Sequence, residues 1–182
     1  LQSNTLYDLY ISDYCDTSLK TGPFTFRTDC YGPFGGDYTV GGPLADFPTL
    51  DRAIEQLKFC GLNNSVRLLL QGGNHFVTNP LGGFYGFQLG YTVSIIGSGY
   101  LGDTLQKVGT RKEILNLWGA KKLILKNIYF DMSNAEIAVW MHKGCKDIVI
   151  DSCMAVLHNF GDVAFYGSEV NYNLSLGLNV SN

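Results

Sequence analysis

The sequence predicts an all-β fold: a right-handed, single-stranded parallel β-helix with one N-terminal capping α-helix. Two observations carry this. Apolar pairs with one residue between them recur, at the spacing of stacked coils, over the second two-thirds of the chain. The chain also holds 22 Gly, 11 Phe and 11 Tyr against 5 Pro, a balance that suits tight turns and flat, half-buried side chains.

The repeats fall into two series. Val66-Arg-Leu68, Val93-Ser-Ile95, Leu123-Ile-Leu125, Ile148-Val-Ile150 and Leu174-Ser-Leu176 follow one another at nearly even steps, each the length of one solenoid coil. Each puts two apolar side chains on one face of a strand. A second series, Phe87-Gln-Leu89, Leu115-Asn-Leu117, Ile137-Ala-Val139 and Val163-Ala-Phe165, interleaves with the first at similar steps. The intervals between strands contain another strand and Gly-rich turns, which leaves no room for the crossover helix of a βαβ unit.

Upstream, Leu50, Ala53, Ile54 and Leu57 fall at i, i+3, i+4 and i+7, and Gly61 supplies a stop, so residues 46–61 read as one amphipathic helix. In a solenoid this helix covers the open first coil. Residues 1–45 read as an irregular entry segment, with strands at residues 6–12 and 24–28 and a Gly-rich stretch at 31–43. Residues 46–182 then hold the cap and four to five coils, the whole forming one compact domain.

Leu9-Tyr-Ile-Ser12, Phe47-Pro-Thr-Leu-Asp-Arg-Ala-Ile54 and Val66-Arg-Leu-Leu-Leu-Gln-Gly72 together resemble the entry of pectin-lyase-like β-helices in bacteriophage tailspikes and tail fibres, over residues 6–75. The resemblance implies a homotrimer, other virion tail proteins as neighbours, and a host-surface polysaccharide as the molecule met. The same opening introduces polysaccharide lyases, epimerases and surface adhesins. Here a long segment, Ser12 to Asp46, separates the first strand from the helix, where the family has a short loop.

A net charge of -3 with no Lys/Arg cluster along the sequence excludes the electrostatic footprint of a nucleic-acid binder. No apolar run approaches the roughly 20 residues that span a bilayer, so no membrane insertion is expected. The chain opens on Leu1, with no initiating Met, and reads as a piece of something longer. Five cysteines at irregular spacing, Cys15, Cys30, Cys60, Cys145 and Cys153, read as reduced thiols, with a Cys15–Cys30 pair as the leading exception. His75, His142 and His158 stand at no metal-ligand spacing, so neither a metal nor a cofactor is expected.

Function belongs to the outward positions. Between the buried pairs of the first series lie Arg67, Ser94, Ile124, Val149 and Ser175, an aliphatic-centred column that a loop, the cap or a second subunit would cover. After the pairs of the second series come Gly90, Trp118, Trp140 and Tyr166, which would stack as an aromatic ladder. Such faces suit sugar rings or a protein neighbour. Glu136 and Asp162, upstream of Trp140 and Tyr166 on the same outward face, bring two carboxylates to adjacent coils. They are acceptors for sugar hydroxyls and, roughly 5 Å apart, the best catalytic candidates for glycoside hydrolysis. No nucleophile elbow, polygalacturonase or pectate-lyase motif is present.

The reading is therefore a tail-fibre or tailspike-like structural and receptor-binding module. It contacts host glycan through Trp118, Trp140, Tyr166, Glu136 and Asp162, and is located in the virion tail and extracellular when acting. The alternatives are a glycan-degrading depolymerase, hydrolase or lyase, and a purely architectural virion or adhesin segment.

Overall fold

The computed structural model of the chain describes residues 6–12, 20–27, 30, 33–78, 81, 90–99, 102–168 and 174–181. The fold is mostly β, with a single α-helix among these residues. A curled sheet of nine strands runs in the order β3-β4-β6-β9-β12-β10-β7-β5, with β14 added to β12. Its strands are β3 (Phe34–Val40), β4 (Leu62–Leu70), β5 (Gly73–Phe76), β6 (Val93–Ile96), β7 (Asp103–Gln106), β9 (Lys121–Lys126), β10 (Tyr129–Asp131), β12 (Lys146–Val156) and β14 (Leu174–Ser181). A parallel sheet of three, β13-β11-β8, is formed by β8 (Glu113–Trp118), β11 (Ile137–His142) and β13 (Val163–Gly167).

The first series of apolar pairs is a set of parallel ladders in the expected register. Val66 faces Val93 and Leu68 faces Ile95; Leu123 and Leu125 follow, then Ile148 and Ile150, then Leu174 and Leu176. The eight side chains from Val66 to Ile150 are all buried. The alternating positions form the predicted column, with Arg67, Ser94, Ile124, Val149 and Ser175 in register. Asp37 of β3 extends it by one member and forms a two-point ion pair with Arg67 that holds the Asp37 carboxyl below the usual range. Ile124 and Val149 are half-buried.

The sheet curls because β12 turns a corner. Its first half pairs with β9, its second with β10, and between them Ser152 sits at φ 53°. Asn127 makes the same left-handed corner between β9 and β10 at φ 55°, a conformation Asn tolerates better than most residues. The two sheets share one core, in which Leu115, Leu117, Val139 and Met141 join the buried pairs of the large sheet. Phe130 and Phe165 meet edge-on across it, their ring centroids 6.3 Å apart.

Helix α1 (Leu50–Cys60) forms where the sequence predicts it. The Thr49 hydroxyl accepts from Arg52 N at 3.2 Å, and Gly61, at φ 74°, donates its N–H to Leu57 O at 3.0 Å. Leu50, Ala53, Ile54 and Leu57 are fully buried, and the helix packs on β3, β4 and β5. No helix among the described residues is long and apolar enough to cross a membrane.

Three expectations are corrected. The stretch at 31–43 is not irregular throughout, since it contains β3, which pairs in parallel with β4. Its register breaks between Phe34 and Gly36, and the break is sustained by Gly36 at φ 96°. The entry strand of the family pattern is displaced: β1 (Leu6–Ser12) pairs antiparallel with β2 (Lys20–Arg27) in a sheet of two, and β3 takes the place beside β4. The cysteines are not all reduced, because Cys30 is bonded to Cys60 at the end of α1, with Cα atoms 5.5 Å apart. Cys15 lies outside the described residues. Cys145 and Cys153 are free and buried.

Candidate functional site

The three-stranded sheet carries the site. Along β8 and β11, Leu115, Leu117, Val139 and Met141 are buried, so Asn116, Trp118, Trp140 and His142 project from the other face. Parallel pairing places Val139 beside Leu115, Trp140 beside Asn116, and His142 beside Trp118. On the other side, Ile137 meets Val163 and Trp140 meets Tyr166.

The aromatic ladder therefore exists in altered form. The step from β8 to β11 is longer than the sequence pattern suggests, because the apolar pair matching Leu115 and Leu117 is Val139 and Met141, not Ile137 and Val139. A slip of one alternating pair keeps every side chain on its predicted face but slides the ladder along the strand. Trp118 thus opposes His142, not Trp140. Gly90 is not a rung; its carbonyl accepts from Lys122 Nζ at 3.1 Å. Phe87 and Leu89, which opened the second series, lie outside the described residues.

His142 closes the gap that the slip opens. Its ring lies parallel to Trp140, at 4.5 Å and 12°, and meets Trp118 edge-on at 5.0 Å and 63°. Trp140 in turn tilts against Tyr166 at 6.5 Å. Four rings from three strands form a continuous strip. Its ends are open, with Trp118 54 % and Tyr166 46 % exposed, whereas His142 is buried between them.

A polar relay fixes the strip from below. Asn116 Nδ2 donates to Glu113 Oε1 at 3.1 Å, which orients the amide so that its oxygen faces His142 Nε2 at 2.9 Å. The imidazole must then donate from Nε2. Trp140 Nε1 is buried and makes no hydrogen bond among the described residues.

Glu136 and Asp162 are neighbours at the far end of the same sheet, about 13 Å upstream along the strands from the aromatic rings. The Val163 N–H donates to Glu136 O at 2.8 Å, as the predicted adjacency requires. Both carboxylates have other partners. Glu136 Oε2 meets Lys112 Nζ at 3.0 Å with both side chains exposed, and Asp162 Oδ2 accepts from the amides of His158 and Asn159 at 3.1 and 2.8 Å. Asp162 closes a turn, and Glu136 is a solvated ion-pair member.

Sequence reasoning missed a second polar cluster. His75 on β5 and Asp103 on β7 are both buried, with Nε2 and Oδ1 3.0 Å apart. The other carboxylate oxygen accepts from Ser98 N and Ser98 Oγ, both at 2.6 Å. Burial works to raise the Asp103 carboxyl, but the bonds from Ser98 and His75 outweigh it and hold it below the usual range. The signal was available in the phase: His75 stands in register with Leu105, at an inward position. The cluster is not a nucleophilic triad, because the Ser98 hydroxyl donates to the aspartate and not to the histidine. Beside it lies a cavity of about 170 Å³, which Thr49, Asp51, His75 and Phe76 help to line.

A further cavity, of about 250 Å³, is lined in part by Asn127, Tyr129, Cys153 and Met154. Burial pushes the Cys153 thiol up to about 11, so no thiolate is on hand there at neutral pH. No group of three or more His, Cys, Asp or Glu among the described residues could hold a metal ion. Compared with protein-family models, with curated proteins and with solved structures, the chain matches none.

Proposed function

We propose that the chain is a right-handed parallel β-helix that binds a cell-surface glycan along the strip Trp118–His142–Trp140–Tyr166. The carrying observation is the continuity of that strip across three parallel strands, with a large ring exposed at each end. Aromatic faces match the apolar faces of sugar rings and cost little side-chain entropy to order.

The resemblance of the entry segment supports a tail-fibre or tailspike-like attachment module, acting outside the cell beside other tail proteins. The half-buried column through Ile124 and Val149 is the face we assign to trimer contact. A secreted adhesin is the second reading, and the Cys30–Cys60 disulfide favours it. Such bonds form in oxidising compartments, whereas phage tails are assembled in a reducing cytosol. Glycan cleavage has less support, because Glu136 and Asp162 are each engaged by neighbouring groups.

The test is a glycan array with the wild-type chain and Trp118→Ala. Trp118 is exposed, so its loss is expected to leave the circular dichroism spectrum unchanged. Affinity for any glycan bound is expected to fall by about 5- to 30-fold, the equivalent of about 1–2 kcal/mol of ring contact. Equal binding by both proteins would remove the strip from the site.

A further inference from the structure

The sequence has no run of basic residues, yet folding assembles one. The turn that follows β8 stacks on the turn that follows β11: Gly119 N donates to His142 O at 2.9 Å and Lys146 N to Ala120 O at 2.9 Å. This stacking puts Lys121 and Lys146 side by side, with Lys143 in the same two turns, Lys122 Nζ held on Gly90 O, and Asp147 the single acid there. Lys121 and Lys146 are direct register partners on adjacent strands, both exposed, and neither makes an ion pair among the described residues.

Like charges placed opposite each other on neighbouring strands repel, so this arrangement costs stability unless an anion lies across it. The turns are continuous with the strip. Trp118 and Lys121 flank one turn, and His142 directly precedes Lys143 in the other. The two ends therefore differ: at the upstream end the Glu136 carboxylate is neutralised by Lys112, whereas at the downstream end Lys121 and Lys146 stand side by side with no ion pair among the described residues.

We infer that the strip selects an anionic polysaccharide, whose carboxylate or sulfate groups sit on Lys121 and Lys146 while its ring faces stack on Trp118. This inference rests on the glycan reading of the strip and adds the substrate class. Charge complementarity supplies the argument: the chain as a whole is acidic, at -3, and the lysine pair is a local exception beside the exposed aromatic end.

The experiment measures binding of the full chain to polygalacturonate, alginate and hyaluronan, each against its own carboxyl-reduced form, alongside a panel of neutral glycans. A native acidic polymer is expected to bind about tenfold or more tightly than its reduced form. That advantage is expected to shrink as salt rises from about 0.1 M to about 1 M and the screening length falls from about 10 Å to about 3 Å. Lys121→Gln/Lys146→Gln is expected to lose the preference and keep the fold. Lys146→Glu, which places an acid opposite Lys121, is expected to lose acidic-polymer binding while melting no lower than wild type. Equal binding of native and reduced forms, or binding to neutral glycans alone, overturns the charge inference and leaves the strip as a glycan site. Binding to no glycan of either kind overturns both.

Discussion

Asp103→Ala is expected to cost about 3–5 kcal/mol of folding stability, read as a fall in the midpoint of urea unfolding. Asp103 is fully buried, and its carboxylate receives hydrogen bonds from His75, from the Ser98 amide and from the Ser98 hydroxyl. Removing it strands the buried His75 donor and breaks both bonds from Ser98, which is itself exposed, and a stranded buried donor costs far more than its bond contributes when made. Because the folded state depresses the Asp103 carboxyl, its stabilising contribution is fully present above the unfolded value of about 3.9 and is lost as pH falls through the lower folded value. Wild type is thus expected to lose stability on acidification below about pH 4, and Asp103→Asn to show a flatter profile there. A cost below about 1 kcal/mol for Asp103→Ala would mean that water reaches the cluster and replaces the lost bonds.

The second large effect is reduction of Cys30–Cys60. The bond spans a sequence separation of 30 and ties the end of α1 to the chain ahead of β3. The loop-entropy relation gives about 3.5–4 kcal/mol for a closure of this length. For a chain of this size that corresponds to a fall in melting temperature of roughly 8–15 °C on adding dithiothreitol, with Cys30→Ser/Cys60→Ser matching the reduced protein. The bond anchors the segment leading into β3, so β3 is expected to lose hydrogen-exchange protection before β9 or β12. Identical melting with and without reductant would show that the bond is absent in solution.

The parts of the fold that could be read from sequence were those governed by period alone. Val66 to Ile150 revealed their phase because a buried strand pair tolerates no polar residue at either inward position. Helix α1 was equally plain, since Thr49, the apolar spacing and Gly61 all point the same way. What failed was register where apolar residues are plentiful. In Ile137-Ala-Val-Trp-Met141, Ile137 with Val139 looks as good as Val139 with Met141, and hydrogen bonding chose the latter. β3 was missed because Gly35 and Gly36 disguise a strand as a turn. The disulfide was missed because nothing in the spacing of five cysteines selects Cys60 over Cys15 as the partner of Cys30.

The candidate site was legible to the same degree. Trp118, Trp140 and Tyr166 were placed on the correct face by alternation, which a slip of one pair does not disturb. The role of His142 as the ring that joins Trp118 to Trp140 depends on the corrected register. The lysine pair was missed although the phase carried it: the step that aligns Leu123 with Ile148 also aligns Lys121 with Lys146, but both lysines precede the apolar pairs, where the turns lead into β9 and β12.

The chain contains two tryptophans, Trp118 and Trp140, and both lie in the strip, so intrinsic tryptophan emission reports on this site alone. Titrating the protein with a polysaccharide it binds is expected to give a saturable change in emission, with a midpoint that matches the affinity measured by calorimetry. A full calorimetric binding curve with unchanged emission would place the glycan elsewhere on the molecule and contradict the account.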